Sequence, residues 1–250
     1  MNILILAGER PGGDPLAIAE GVANKTEIMI AGQSMLAHVL ATLRQWQPAA
    51  DVSISGSLRQ APPGVQVIAT AATPCMSVLR ALEQVAFPVL ITTADHPLLT
   101  PAILAQFLQK ASTLPGDVCV GMVPLALVQQ HYPRNRRTRL RFADGSFSGA
   151  NLFLLRNKNA LGLVDFWRQM EAHRKSPWRM LRVLGIGSVL RYALGRLALQ
   201  DVVALLARRT GAQVAPVMLD DPHAAIDVDR VGDLALVREI LQLRTMKTAV

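Results

Sequence analysis

The sequence has few cysteines, few charged residues and no long uncharged apolar run. Its two cysteines, Cys75 and Cys119, are spread over 250 residues, which excludes a disulfide framework and favours a reducing compartment. No segment reaches the roughly 20 uncharged apolar residues that are needed to cross a bilayer. The apolar start, residues 1–6, has no preceding positive charge and therefore does not resemble a signal peptide. These absences predict a cytoplasmic protein.

Several common site signatures are also missing. The five histidines do not have the spacing of zinc ligands. The glycine-rich loop after the first apolar run matches neither the G-x-G-x-x-G fingerprint nor the Walker A pattern. In the segment 145–149, Phe147 stands where a hydrolase elbow carries its nucleophile. The sequence therefore gives no support to a zinc site, to either of those nucleotide fingerprints or to an α/β-hydrolase.

What is present favours one large α/β domain spanning residues 1–250. Hydrophobic residues make up 51% of the chain and charged residues 18%, which is enough apolar side chain for a substantial core. Strand and helix patterns alternate along the first half, which is typical of βα units and a mostly parallel sheet. The predicted strands are 2–6, 52–55, 65–68, 89–93, 117–122 and 214–219, and the predicted helices include 34–46, 77–85, 102–110 and 231–243.

After residue 124 the pattern changes. Strand-like segments flank Asp144-Gly145, which is a hairpin signal. Residues 159–210 then read as a basic helical insert.

Asp95 stands out because a buried strand, residues 89–93, runs directly into it. Pro97 prevents the strand from continuing, and Thr100 followed by Pro101 is a strong start signal for the next helix. A carboxylate at the carboxyl end of such a strand lies where open α/β sheets bind their ligands. The competing interpretation is that Asp95 is simply a turn residue that closes the strand.

The net charge of +8 is unevenly distributed. Nucleic acid, anionic lipid and phosphorylated small molecules would all suit the basic segments, and a solvated basic surface is the alternative interpretation. The first basic cluster comprises Arg134, Arg136, Arg137, Arg139 and Arg141, and the second runs from Arg168 to Arg196. Five aspartates, in contrast, fall within residues 220–233.

Five segments in order resemble one known family. They are Ile5-Leu6-Ala7-Gly8, Lys25 seven residues before Gly32, Ser77-Val78-Leu79-Arg80-Ala81-Leu82, Thr93-Ala94-Asp95-His96-Pro97-Leu98-Leu99, and Ile226-Asp227-Val228-Asp229 followed by Asp233-Leu234. This set is similar to the MobA-like nucleotidyltransferases, typified by molybdenum-cofactor guanylyltransferase, within the wider sugar-nucleotide pyrophosphorylase or GT-A-like fold. The resemblance implies a three-layer α/β/α, Rossmann-like fold with a mostly parallel central sheet, to which the helical insert is added.

The resemblance also implies an activity and its residues. The expected reaction is Mg²⁺-dependent transfer of a nucleotidyl group from an NTP to a phosphorylated small molecule, with release of pyrophosphate and without a nucleic-acid partner. Lys25, Asp95 and Asp227 are the expected catalytic residues, and Asp95, Asp227 and Asp229 are the expected Mg²⁺ ligands. Asn151 is expected to contact the second substrate. The expected nucleotide-binding residues are Leu6, Ala7, Gly8, Arg10, Gly12, Gly13, Lys25 and Ser77.

Several alternatives stay open at this level. Asp229 is either a helix N-cap or a metal ligand, and Asp233 is expected to complement a helix dipole. The chain is alternatively a GT-A-type glycosyltransferase that binds a nucleotide sugar through Asp227 and Asp229. Because Glu9 replaces a glycine of the family's loop, a catalytically degenerate homologue that binds a nucleotide or a membrane is a further alternative. The basic apolar segment 175–197 either covers the sheet or lies at a membrane surface, in which case the acceptor is lipid-linked.

Overall fold

A central sheet of eight strands forms the body of the protein. The structure is a computed structural model that describes residues 1–8, 12–135, 137–173 and 185–248. The seven strands of the main path are β1 (Asn2–Ala7), β4 (Asp51–Gly56), β5 (Val65–Ile68), β6 (Val89–Thr93), β7 (Val118–Pro124), β9 (Gly145–Leu155) and β10 (Val214–Met218). The eighth strand, β8 (Leu140–Phe142), pairs with β9, and a separate two-stranded sheet joins β2 (Met29–Ile30) to β3 (Gln33–Ser34).

The strand order is β10-β7-β9-β6-β1-β4-β5. Strands β6, β1, β4 and β5 are parallel to one another, and β10 is parallel to β7. Strand β9 lies between β6 and β7 and is antiparallel to both. The sheet is therefore mostly parallel, as predicted, with one antiparallel strand inserted beside β6.

Helices cover both faces of the sheet and make three layers. The helices are α1 (Pro15–Ala19), α2 (Met35–Trp46), α3 (Pro74–Leu82), α4 (Pro101–Thr113), α5 (Leu125–His131), α6 (Ala160–His173), α7 (Ile186–Ala193), α8 (Leu199–Thr210) and α9 (Val231–Thr248). Side chains alternate along β1, so that Ile3 and Ile5 pack with α2 and α4 while Leu4 packs with α3 and α6. This alternation gives the sheet an apolar layer on each side.

Most predicted elements are confirmed, and the differences have local causes. Helix α3 begins at Pro74 instead of residue 77, because Thr73 caps it and accepts a hydrogen bond from the N–H of Met76. The turn of helix at α1 was not predicted; Asp14 caps it, and Leu16 is buried. Helix α5 was not predicted either, since it is one short segment directly continuous with β7.

The basic insert does not form one uniform cover over the sheet. Helix α6 packs against α3 and contributes buried Ala160 and Val164 to the core on that face. Helix α8 packs against α6 and β10. Helix α7, in contrast, has no buried residue. Of the two interpretations of the segment 175–197, the one in which it covers the sheet therefore does not apply to this helix. Residues 174–184 of the insert lie outside the described residues.

In the described part of the chain, no helix is both long and apolar enough to cross a membrane.

Candidate active site

Strand β6 delivers Asp95 to the edge of the sheet where the parallel strands end. The N–H of Ala94 donates to the carbonyl of Leu6 at 2.9 Å, which keeps the chain beside β1 for one residue past the strand. After Asp95 the chain turns, and Thr100 caps α4 by accepting from the N–H of Ile103 at 3.2 Å. The side chain of Asp95 is left at the start of this turn, 24% exposed.

The segment that carries Asp227 and Asp229 is anchored to the same turn. The N–H of Val228 donates to the carbonyl of Asp95 at 2.8 Å. His96 is 1% exposed, and its Nε2 lies 3.1 Å from the carbonyl oxygen of His223. Burial lowers the pKa of His96, so its ring is neutral and Nε2 is the donor to that carbonyl. These two hydrogen bonds bring together carboxylates that are far apart in the sequence.

Lys25 forms ion pairs with two of those carboxylates, Asp95 and Asp229. Its Nζ lies 2.8 Å from Oδ2 of Asp95 and 2.9 Å from Oδ1 of Asp229. Asn24 fixes the backbone here, since its Oδ1 accepts from both the N–H and the hydroxyl of Thr26 at 2.8 Å. Burial alone would lower the pKa of Lys25, but its two ion pairs outweigh burial and the net pKa is raised. Lys25 is therefore firmly charged at neutral pH.

Asp227 is held by two different side chains, one on each carboxylate oxygen. Arg137 donates from its Nη1 to Oδ1, and Asn151 donates from Nδ2 to Oδ2 at 2.8 Å. Burial raises the pKa of Asp227 and the nearby Asp95 carboxylate raises it further, whereas Arg137 and Asn151 act in the opposite direction. The net pKa is raised, chiefly because the carboxyl group of Asp227 is buried.

Asn151 reaches Asp227 because β9 is irregular at this point. The register between β7 and β9 shifts between Val120 and Met122, and Asn151 adopts φ 50°, which is uncommon for residues other than glycine. A β-bulge of this kind re-aims a side chain. Gly121 lies opposite the bulge, where a Cβ would come within 3.1 Å of the Cβ of Ala150.

Arg137 and Asn135 are parts of this site that sequence reasoning missed. The Arg137 side chain is 5% exposed and also donates to Asp233 and to the carbonyls of Ala225 and Asp227. Asn135 donates to Asp233 at 3.0 Å and accepts from Nε of Arg137 at 2.5 Å. In the sequence, Arg137 was one of five arginines in a cluster with nothing to distinguish it from a solvated neighbour.

Asp233 and Asp229 make different contacts at the start of α9. Oδ2 of Asp233 accepts from the N–H groups of Asp229 and Arg230 at 3.2 and 3.0 Å. Asp233 therefore satisfies the helix terminus, in line with its predicted first-turn role. Oδ1 of the Asp229 carboxylate faces Lys25 at 2.9 Å, so this side chain belongs to the acidic group around Lys25.

The expected nucleotide-binding residues lie around the end of β1. Leu6, Gly8 and Ser77 line a small pocket of about 60 Å³, together with Ser55, Thr70, Ala71, Thr73 and Pro74. Oγ of Ser77 accepts from the N–H of Ala71 at 2.9 Å, so Ser77 fixes one wall of the pocket. Ala7 is buried within β1.

The glycine-rich loop beyond this pocket is only partly described. Gly12 and Gly13 both adopt φ 89°, a conformation that favours glycine. Arg10, together with Glu9, lies outside the described residues.

Ser55 is a further feature of the pocket that the sequence did not indicate. Its side chain is 1% exposed, and its Oγ has no hydrogen-bond partner among the described residues. A buried hydroxyl without a partner costs free energy, which a ligand with a polar edge would recover.

The acidic residues fit a hard cation that takes its remaining ligands from a substrate. Oδ1 of Asp95 is buried and has no hydrogen-bond partner among the described residues, and Asp227 and Asp229 lie beside it. Within the described ranges, no group of three or more His, Cys, Asp or Glu side chains is arranged to hold a metal by itself. Mg²⁺ commonly uses one or two carboxylates plus phosphate oxygens and water, so this donor set suits Mg²⁺ together with a nucleotide.

A second cleft adjoins the carboxylates. It has a volume of about 370 Å³ and is lined in part by Arg137, Ser148, Asn151, Asp227 and Asp229. The pocket near Ser77 and this cleft are formed by different elements. Asp95 follows the strand beside β1, Asp229 lines the cleft, and Lys25 forms ion pairs with both. The acidic residues therefore lie between a small pocket at β1 and a larger cleft beside Asn151.

Comparison with known proteins places this chain in a family. The family model for the MobA-like NTP transferase domain matches residues 3–153. A structure titled as a hypothetical transferase from Thermus thermophilus is 28% identical with a TM-score of 0.79, covering 94% of this chain and all of the other.

Two more distant solved structures share the fold. The 2-C-methyl-D-erythritol 4-phosphate cytidylyltransferase of Thermus thermophilus is 17% identical with a TM-score of 0.54, covering 97% of this chain and 98% of the other. The 4-diphosphocytidyl-2C-methyl-D-erythritol synthase of Anaerococcus prevotii is 10% identical with a TM-score of 0.57, covering 96% and 97%.

The search of curated proteins found no match. The family model nevertheless covers more than half of the chain and contains the first strand, Lys25, Asp95 and Asn151. The chain therefore belongs to the MobA-like NTP transferase family and is a nucleotidyltransferase.

Proposed function

We propose that this protein is a Mg²⁺-dependent nucleotidyltransferase that joins the nucleotidyl group of an NTP to a phosphorylated small molecule and releases pyrophosphate. The observation that carries the proposal is the meeting of Lys25, Asp95, Asp227 and Asp229 between the pocket at β1 and the cleft beside Asn151. The family match favours an NTP over a nucleotide sugar as the donor.

The donor would lie along the end of β1. Its base would enter the pocket near Ser77, where Gly8 leaves the backbone uncovered and the buried Ser55 hydroxyl is available to a polar edge of the base. Its phosphates would then extend toward the N–H groups around Gly12 and Gly13 and toward Lys25, since backbone N–H groups and ammonium groups both stabilise phosphate charge.

The acceptor would occupy the cleft beside Asp227. In the reaction an acceptor phosphate oxygen forms a bond to the α-phosphorus while the bond from that phosphorus to the bridging oxygen of the β-phosphate breaks. The electron pair of the broken bond leaves with pyrophosphate. The protein forms no covalent bond in this scheme, so its contribution is orientation and charge stabilisation.

Mg²⁺ held by Asp95 and Asp227, with Asp229 beside them, would offset the charge of the triphosphate and polarise the phosphorus. Arg137 and Asn151 act as positioning residues because they fix the two oxygens of Asp227. Lys25 would turn from the carboxylates to the phosphates and stabilise the negative charge on the departing pyrophosphate.

The direct test is pyrophosphate release. Purified protein is incubated with each NTP, Mg²⁺ and a panel of acceptors that includes sugar phosphates and a polyprenyl phosphate. We expect release to require one NTP and one acceptor class, and to fall by about a hundredfold to a thousandfold in Asp95→Asn, as for loss of a main electrostatic contributor.

The matched control is Asp220→Asn, since Asp220 is exposed and pairs with Lys110 on the surface. It should retain wild-type activity. Pyrophosphate release that survives Asp95→Asn would refute the site, and a wild-type protein that shows no Mg²⁺-dependent NTP binding by calorimetry would refute the function.

A further inference from the structure

Helix α7 presents an unusual concentration of exposed apolar side chains. Ile186, Leu190 and Leu194 are spaced four residues apart and are 71%, 58% and 59% exposed. This spacing puts them on one side of the helix. We call these three residues the α7 stripe. Leu243 and Met246, three residues apart on α9, are also more than half exposed, but no other three such side chains in the described chain follow one another at helical spacing. The stripe is therefore a surface that needs an explanation.

Helix α7, which carries the stripe, contacts the rest of the protein through the β8–β9 hairpin. The ring of Tyr192 contacts the ring of Phe142 with a centroid distance of 6.2 Å. The N–H of Ala143 donates to the carbonyl of Leu197 at 2.9 Å, just after the helix. The face of α7 that carries these contacts is therefore occupied, and the stripe is left to solvent.

The surroundings of the α7 stripe are basic. Arg196 follows the helix, and Arg139 and Arg141 lie on the attached strand β8 or just before it; all three are exposed. Arg191 on α7 is also exposed, although it pairs with Asp201 at 2.6 Å. Two acidic residues lie in the same region, Asp144 in the turn between β8 and β9 and Asp201 on α8. The four arginines outnumber them, so the region has a net positive charge that is complementary to an anionic partner.

We propose that the α7 stripe and the arginines around it bind the surface of an anionic lipid bilayer. A short amphipathic helix with apolar residues on one side and basic residues beside them is the type of element that lies in the interfacial plane of a membrane. The apolar side chains enter the acyl boundary, while the guanidinium groups contact lipid phosphates. No helix in the described part of the chain could span the membrane, so the attachment is peripheral. The proposal is independent of the proposed reaction.

The surface also adjoins the candidate active site. Leu140 and Ser148 of the same hairpin line the cleft beside Asp227. The β8–β9 hairpin therefore lines part of the proposed acceptor cleft and also contacts α7.

Vesicle co-sedimentation tests the proposal with the full-length protein. Vesicles of phosphatidylcholine and phosphatidylglycerol are compared with vesicles of phosphatidylcholine alone at low salt. We expect binding to the anionic vesicles only, with a loss of at least about tenfold in partition coefficient for Leu190→Glu. Arg196→Ser should weaken binding to a smaller extent, and added NaCl should weaken it further because salt screens the lipid charge.

Met246→Glu is the matched control, because Met246 is 69% exposed but lies on α9. It should bind vesicles like the wild type. Both glutamate variants replace exposed side chains, and circular dichroism checks that they fold.

Three results would overturn the proposal. They are wild-type protein that stays in the supernatant with anionic vesicles, equal losses in Leu190→Glu and Met246→Glu, and a wild-type dimer in sedimentation velocity that Leu190→Glu dissociates without any vesicle binding. The last result would assign the α7 stripe to a second copy of the chain.

Discussion

At the scale of single residues, the candidate site is a set of carboxylates, and two cationic side chains on opposite sides balance their charge. Lys25 lies between Asp95 and Asp229, while Arg137 holds Asp227 and Asp233. Arg137 and Asp233 are both buried, and a buried charge that loses its partner is costly, whereas Asp229 is partly exposed to water. Of these two cationic side chains, Lys25 faces the site where the phosphates are expected.

The ammonium group of Lys25 lies between Asp95 and Asp229, two of the proposed metal ligands, and this gives a prediction. In Lys25→Met, the ammonium no longer competes for Asp95 and Asp229, so we expect Mn²⁺ to bind the nucleotide-free protein about tenfold more tightly, equivalent to about 1.4 kcal/mol. NTP affinity should fall in the same variant. Titration of Mn²⁺ followed by electron paramagnetic resonance measures the first effect.

Lys110→Met is the control for Lys25→Met, since Lys110 pairs with Asp220 at 2.5 Å on the surface. It should leave Mn²⁺ affinity unchanged. Equal Mn²⁺ affinity in the wild type and in Lys25→Met would contradict the competition.

Metal binding at the proposed site should depend on pH through Asp227. Only the ionised carboxylate is a good ligand, and burial together with the neighbouring Asp95 raises the pKa of Asp227. Protons should therefore begin to displace Mn²⁺ at a higher pH than for an ordinary aspartate, and affinity should fall as the pH drops from neutral. In Asp227→Asn the affinity should be lower at neutral pH and change less over the same range. A steeper pH dependence in that variant would contradict this assignment.

At the scale of elements, the bulge in β9 is the irregularity that completes the site. It aims Asn151 at Asp227, and it is accommodated because Gly121 on the neighbouring strand has no side chain. A strand that followed the regular register would turn Asn151 away, since successive side chains point to opposite faces.

Gly121→Val should therefore disturb both the fold and the site. A Cβ there would lie 3.1 Å from the Cβ of Ala150 and 3.2 Å from that of Leu152. Overpacking of this type costs about 1–3 kcal/mol of the free energy of unfolding, which urea denaturation measures. Gly187→Ala is the control, because no atom lies within 4 Å of a Cβ at that helical position. If the two variants were equally stable, the bulge would not depend on Gly121.

The start of α9 is the second element on which the site depends. Asp233→Ala removes the acceptor for two N–H groups and one partner of the buried Arg137. We expect a loss of about 3 kcal/mol in the free energy of unfolding, the scale of breaking a buried ion pair. Asp220→Ala should change it by no more than about 0.5 kcal/mol, as surface substitutions usually do. Similar losses in the two variants would show that Asp233 does not anchor the helix.

At the scale of the whole molecule, the sequence predicted the fold and the carboxylate positions but not how the site is assembled. Asp95 was predictable because the strand, turn and helix signals around it are local. Arg137 was not predictable, since its role depends on contacts with Asp227 and Asp233, about 90 residues away. The insert was recognised as helical and basic, but the sequence did not show that α6 and α8 pack on the body while α7 stays exposed. That distribution depends on tertiary packing, which amphipathic periodicity does not determine.

The most direct test of the account is a crystal structure with Mn²⁺ and a non-hydrolysable NTP analogue. We predict an anomalous peak between Asp95 and Asp227, the base in the pocket of Ser55 and Ser77, and Nζ of Lys25 moved from the carboxylates to the phosphates. A metal bound away from both aspartates, or a triphosphate that leaves the Lys25 ion pairs in place, would contradict the central claim.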